Sequence, residues 1–356
     1  MARSISTVDI FCGAGGLTHG FEQAGLTVKA GYDIDPACQF PYEHNNKAKF
    51  VLQDVENISG FDLAEHFSGN SINVLAGCAP CQPFSSYSRR YNDRQSKWKL
   101  LQDFARLILE CEPEIISMEN VIQLKHHAVF EEFIAPLKKL NYCFESYEVN
   151  CLEYGIPQSR KRLVLLASKF GKISLISPTH NPNNYQTVRQ SIENLELLSA
   201  GQSSKTDWLH RCSKLSDLNL RRIRASQPGG TWRDWPKDLI AKCHLKKSGK
   251  TYPGVYGRME WDKPSPTITT QCFGFGNGRF GHPEQDRAIS LREAALLQTF
   301  PAAYQFVASD EPVAIDIVGR LIGNAVPVKL GQVIARSILN HIEQFSQGVP
   351  DVAESK

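Results

Sequence analysis

Residues 72–85 read Ile72-Asn73-Val74-Leu75-Ala76-Gly77-Cys78-Ala79-Pro80-Cys81-Gln82-Pro83-Phe84-Ser85, an apolar run that breaks into a proline-flanked loop. Ile72 to Gly77 has the length and texture of a buried strand. A strand that stops on small residues and opens into such a loop belongs at the rim of an open α/β sheet, where ligands bind outside the carboxyl ends of the strands. Cys81 then stands where a nucleophile is useful, with prolines restricting the backbone beside it. As one of ten cysteines it could equally fill space. The recurrence of polar groups at other strand ends favours the functional reading.

Upstream, Thr7-Val8-Asp9-Ile10-Phe11 reads as a first strand and Cys12-Gly13-Ala14-Gly15-Gly16-Leu17 as a glycine-rich turn before a helix from Thr18 to Ala24. Such a turn lets a ligand approach the backbone. Thr18 occupies the place of the third glycine in G-x-G-x-x-G, which disfavours a dinucleotide. Val28 to Tyr32 forms a second strand ending in Asp33-Ile34-Asp35, and Phe50-Val51-Leu52 a third ending near Asp54. A carboxylate about 20 positions past a glycine turn is placed for ribose hydroxyls. Taken singly, each of these carboxylates is equally a cap or turn residue; together they indicate a nucleoside-bearing cofactor without a pyrophosphate.

Downstream, residues 85–99 read as a polar, basic loop with aromatic interruptions, of a length usually functional or mobile. Leu100 to Cys111 and residues 130–140 have helical spacing, and Ile115 to Met118 is a strand ending in Glu119-Asn120-Val121. Gln158-Ser159-Arg160-Lys161-Arg162 leads into the apolar run Leu163 to Ala167; if 160–166 is extended, Arg160 and Arg162 share one face. Alternating strands and helices over 7–170 predict a parallel α/β sheet. From about 171 the chain turns rich in Pro, Asn, Gly, Trp and basic residues, and helical periodicity returns over 328–345.

Composition bounds the function. The chain has 356 residues, 42% of them hydrophobic and 22% charged, and a net charge of only +3. No run reaches the roughly 18 apolar residues of a membrane span, and Met1 to Ser6 carries no signal-peptide pattern. A cytoplasmic chain with reduced thiols is expected. Cys78 and Cys81 have C-x-x-C spacing, but the second ligand pair of a zinc site is missing, so no metal is expected. A thioredoxin-like pair stands as a rival on spacing alone. Residues 171–287 carry 18 Lys and Arg against 10 Asp and Glu, a basic segment suited to a polyanion.

In order along the chain, Asp9 to Leu17, Pro80-Cys81-Gln82, Glu119-Asn120-Val121, Gln158 to Arg162, Leu291 to Pro301 and Gly323 to Pro327 resemble six blocks of the DNA (cytosine-5)-methyltransferases. Each block is weak alone, and their common order is specific. The resemblance implies a Rossmann-like, S-adenosylmethionine-dependent methyltransferase sheet over residues 1–170, completed by 303–345. A second, smaller, loop-rich target-recognition domain would span 171–302, and 346–356 would be a tail. Catalytic roles fall on Cys81, Glu119, Arg160 and Arg162. S-adenosylmethionine would be held by Phe11, Gly13, Gly15, Gly16, Leu17, Asp33, Ile34, Asp54, Val55 and Pro80, with Asn324 and Val326 closing the pocket. Gln82, Ser85, Arg89 and Arg90 would contact DNA. Where the family often has an aromatic residue, this chain has Ala79, a change of little consequence for a position that acts through its carbonyl.

Chemistry agrees with that assignment. Cytosine C5 is a poor nucleophile, and a thiolate adding to C6 activates it. Glu119 would assist at N3 and the N4 amine; the resemblance implies that Arg162 binds O2 and that Arg160 braces the loop or a phosphate. A stacked base is out of reach, so the target must be flipped from the duplex. The expected partner is double-stranded DNA, met by a monomer of prokaryotic type, with a restriction endonuclease of the same specificity as a further candidate. Methylation of tRNA, a catalytically dead DNA binder and an NAD-dependent oxidoreductase are the competing readings. The long recognition region, the intact Cys81, Glu119, Arg160 and Arg162, and the absent third glycine weigh against them in turn.

Overall fold

The computed structural model describes residues 3–80, 94–247, 249–309 and 311–348. These fall into two compact units, one drawn from residues 1–150, 161–178 and 326–356, the other from 151–160 and 179–325.

The first unit is built on a seven-stranded sheet of β1 (Ser4–Ile10), β2 (Val28–Asp33), β3 (Lys49–Leu52), β4 (Ser71–Gly77), β5 (Ile115–Asn120), β6 (Cys143–Asn150) and β8 (Lys161–Ser168). Their spatial order is β3-β2-β1-β4-β5-β8-β6, parallel from β3 to β5, with β8 antiparallel to both its neighbours. Central strands β4, β5 and β8 are buried almost throughout, as apolar runs covered on both faces must be. Helices α1 (Gly16–Gln23), α2 (Gln39–Asn45), α3 (Gly60–Ala64), α4 (Arg94–Cys111), α5 (Ala128–Lys139) and α11 (Val328–Ser346) belong to this unit. Phe104 of α4 and Phe133 of α5 meet edge-on at 5.2 Å within the main core. The α/β sheet expected from the sequence is therefore present, parallel from β3 to β5 as expected but antiparallel at β8 and β6.

Two local expectations fail. Strand β6 was absent from the sequence reading because CFESYEVN is polar and half-exposed, as an edge strand paired on one side can be. Part of the expected loop 85–99 is helical, since α4 already begins at Arg94; the rest of that loop lies outside the described residues.

The second unit contains β7 (Gln158–Ser159), parallel to β9 (Ser265–Pro266), and helices α6 (Val188–Ile192), α7 (Asp217–Arg224), α8 (Lys242–Leu245), α9 (Leu291–Leu297) and α10 (Ile315–Asn324). This unit takes in residues 151–160 and 179–325, where the resemblance implied a domain over 171–302. Helix α10 packs with α9, and its Gly319 backs onto Phe273 so closely that an added Cβ would lie 2.3 Å from the ring. Among the described residues no helix is long and apolar enough to cross a membrane.

Candidate active site

The order of the sheet reverses between β1 and β4: the chain builds outward through β2 and β3, then returns to β4 and builds the other way. At such a switch point the loops after the two strands diverge and leave a crevice outside their carboxyl ends. Both the glycine turn after β1 and the segment after β4 open here. Gly77, the last residue of β4, lies so close to Ile10 of β1 that a Cβ would sit 2.7 Å from the Ile10 side chain.

Beyond Gly77 the β4–β5 ladder, which registers Gly77 with Met118, is continued by side chains. Cys78 donates its thiol proton to Glu119 Oε2 at 2.6 Å, and Asn120 Nδ2 donates to the Ala79 carbonyl at 3.1 Å. Glu119 is 2% exposed, at the end of a fully buried strand. Arg162 Nε, on β8, stands 2.9 Å from its Oε1. That guanidinium supplies opposite charge to a buried carboxylate that would otherwise be costly, but no N–H is aligned on Oε1 as a hydrogen bond. One carboxylate oxygen is therefore fixed by a donor, and the other has a charge beside it but no aligned donor. Sequence reasoning placed Glu119 and Arg162 but missed Cys78, weighed only as half of a C-x-x-C pair, and Asn120. The signal was the register: both fall on the rungs that follow the end of β4.

On the other side of the crevice, Phe11, Gly13 and Gly15 take positive φ of 59°, 54° and 85°. Such values are costly for residues other than glycine, and the Gly15 N–H closes the turn on the Cys12 carbonyl at 3.0 Å. Gly13 N–H donates to Asp33 Oδ2 and Asp35 N–H to Asp33 Oδ1, both at 2.9 Å. Burial pushes the Asp33 carboxyl up and these N–H groups oppose it. Ile34, beside it, is 64% exposed, an apolar side chain held at the rim with its face uncovered. Asp54 caps the turn Val55–Asn57 through its bond from Glu56 N–H at 3.1 Å, and Val55 is buried. Gly16 and Leu17 are buried in the first turn of α1, Pro80 is exposed and Val326 is buried. The geometry is a backbone cradle, a carboxylate and an uncovered apolar face, fit for a nucleoside with a charged tail.

Arg160 does not lie on one continuous strand with Arg162. Its N–H bonds back to the Gln158 carbonyl at 2.8 Å, a tight turn that interrupts the strand before β8 and breaks the alternation that would align it with Arg162. Arg160 is buried in the second unit, where it donates to the Ile268 and Ala325 carbonyls at 3.2 and 3.4 Å. Gln158 joins the same node through the Leu297 carbonyl and Gln298 Oε1, at 2.9 and 2.7 Å, and Gln298 Nε2 donates to the Ile322 carbonyl at 2.8 Å. Three of the six sequence blocks thus meet in one buried polar cluster, with Asn324 exposed beside it. Cys81, Gln82, Ser85, Arg89 and Arg90 lie outside the described residues.

A family model described as C-5 cytosine-specific DNA methylase matches residues 5–340. The chain belongs to that family. This DNA methyltransferase is 53% identical over 341 residues to the Type II methylase M.HgiDII of Herpetosiphon aurantiacus, covering 95% of this chain and 96% of that one. It is 30% identical over 344 residues to the Type II methyltransferase M1.HphI of Haemophilus parahaemolyticus, covering 94% and 87%. Among solved structures, the S. pombe Dnmt2 methyltransferase superposes with a TM-score of 0.62 at 17% identity, covering 95% of this chain and 98% of that one. A DNA modification methyltransferase encoded within an E. coli prophage gives 0.72 at 21%, covering 96% and 100%. These two similarities carry the fold. The methylase family supplies the reaction, cytosine C5 methylation in DNA.

Proposed function

We propose that this methylase transfers a methyl group from S-adenosylmethionine to C5 of a cytosine flipped out of a specific duplex sequence, through a covalent bond from Cys81 to C6. The observation that supports it best is Glu119, buried beside Arg162 with one oxygen lacking an aligned donor. Bonds from N4–H, or from a protonated N3, would complete that oxygen. Arg162 holds the carboxylate and offers its remaining N–H groups to the base O2, and Cys81 adds to C6 as charge moves onto the ring. Loss of the C5 proton then releases the thiolate. When bound, S-adenosylmethionine supplies an electrophilic methyl. Phe11, Gly13, Gly15 and Asp33 would hold its polar parts, Ile34 would cover the adenine, and Asp54, Val55, Asn324 and Val326 would complete the pocket.

Arg160 acts by holding carbonyls of the second unit, which with the basic residues of 171–287 would read the target sequence. Gln82, Ser85, Arg89 and Arg90 would grip the backbone. The enzyme is read as a monomer, and the 53% identity to a Type II methylase supports a modification role whose host encodes an endonuclease of the same specificity. Duplex DNA carrying 5-fluorocytosine at the target should trap a covalent complex. Cys81→Ala should abolish the trap and methyl transfer while S-adenosylmethionine binding persists. Glu119→Gln should slow methyl transfer by about 100-fold or more. Substantial turnover by Cys81→Ala would refute the covalent route.

A further inference from the structure

We propose that Cys78 is a positioning residue for Glu119, one that dedicates Oε2 to the protein and leaves Oε1 to the base. This rests on the reading of Glu119 given above. Cys78 follows β4, whose last residue registers with Met118, so its side chain meets the carboxylate one rung on without any loop having to fold back. Its thiol donates to Oε2 at 2.6 Å, and Arg162 Nε lies 2.9 Å from Oε1. Cys78 and Arg162 are the ionisable side chains in contact with Glu119 among the described residues, one from the end of β4 and one from β8. A carboxyl oxygen that accepts a thiol proton is a poor seat for a second proton. A proton exchanged with the cytosine ring therefore resides on Oε1, beside the guanidinium.

The arrangement also fixes direction. A carboxylate held at one oxygen cannot rotate about its terminal bond, so Oε1 keeps one orientation before the base arrives. The next rung, Asn120 to the Ala79 carbonyl, ties the same strand ends together and keeps Cys78 in register. A weak S–H donor suits the task, because it orients the carboxylate without holding its charge as strongly as a second cation would.

The test uses the full chain, with target duplex and S-adenosylmethionine, and compares Cys78→Ala with Cys78→Ser under single-turnover conditions. Cys78→Ala should lose about tenfold in the rate of methyl transfer, the effect of one hydrogen bond to a charged group. Cys78→Ser keeps a donor and should recover the rate. DNA affinity, S-adenosylmethionine affinity and Tm should hold in both variants, and Cys78→Ala should still trap 5-fluorocytosine DNA. An unchanged rate in Cys78→Ala would overturn the proposal, as would a loss of rate that tracks Tm and is not rescued by serine. Loss of the covalent trap would make Cys78 the nucleophile instead. Glu119→Gln, run alongside, separates the two readings: if it too is fully active, the role of Glu119 itself is wrong.

Discussion

In the first unit Asp9 is fully buried, with Oδ2 on the Thr18 hydroxyl at 2.7 Å and Oδ1 without a donor. Burial pushes its carboxyl up to about 7. In the second unit Glu293 is as deeply buried, yet Arg287 donates to both its oxygens at 2.7 Å. Burial drives that carboxyl up as well, but the bonds and charge of Arg287 outweigh it and the net shift is downward. At these two positions the sheet unit favours a neutral buried acid below about pH 7, and the loop-rich unit an ionised, paired one. The sheet unit has a continuous apolar core from Val8 to Ala167 that tolerates a neutral acid. Among the described residues the loop-rich unit carries apolar clusters around Ile223 and Phe275, around Trp232 and Trp235 and around Phe300, Tyr304 and Phe306, and also binds its loops together with charge. Arg258 alone donates to the carbonyls of Ile223, Ser226, His282 and Gln285 and to Asp286.

Breaking the buried pair should have the largest effect. Arg287→Ala strands the Glu293 carboxylate and should cost about 3–5 kcal/mol. Four of the five tryptophans, Trp208, Trp232, Trp235 and Trp261, lie in the second unit, so tryptophan fluorescence reports its unfolding. The fluorescence midpoint should fall well below that of the sheet signal in circular dichroism. Coincident transitions in the variant, shifted equally, would show that the two units do not differ in this way.

Asp9 makes the stability of the chain depend on pH. Below the ordinary aspartate value of 3.8 the group is protonated whether the chain is folded or unfolded. Between 3.8 and about 7 the unfolded chain releases the proton and the folded one keeps it, so stability falls as pH rises through that window and levels off above it. The full loss is on the order of 4 kcal/mol, and Asp9→Asn should remove that slope. Denaturant midpoints measured from pH 4 to pH 8 would decide it, and an unaltered slope in Asp9→Asn would place the titrating acid elsewhere.

The same contrast explains what could be read in advance. Strands β1 to β5 and β8 are apolar runs bounded by glycine, proline or acidic residues, so their existence was legible, whereas the antiparallel pairing of β8 was not. Because ligands gather where such strands end, Asp33, Glu119 and the glycine turn were legible as well. The bond from Cys78 to Glu119 was not, since it depends on the parallel register of strands 41 residues apart. Nor was the fate of Arg160, decided by a one-residue turn and by carbonyls 108 and 165 residues away. In the second unit nearly every determinant is of that long-range kind, so its composition announced a basic, loop-rich body without its architecture.

A smaller test uses one local device that occurs in both units. Helices α3 and α9 each begin with a capping box, Ser59 with Asp62 and Ser290 with Glu293. Ser59 is exposed, and its hydroxyl accepts from Asp62 N–H at 3.3 Å. Ser290 is fully buried, accepts from Glu293 N–H at 3.0 Å and also bonds His210 Nδ1 at 2.9 Å. Water can replace the lost partner at Ser59 but not at Ser290, where His210 would be left without its bond. Ser59→Ala should therefore cost about 0.5–1 kcal/mol and Ser290→Ala about 2 or more. Since the capping chemistry is the same, any difference measures what burial adds. Equal costs by chemical denaturation would mean that water reaches the second unit's polar clusters, and that its charges are held by solvent as much as by each other.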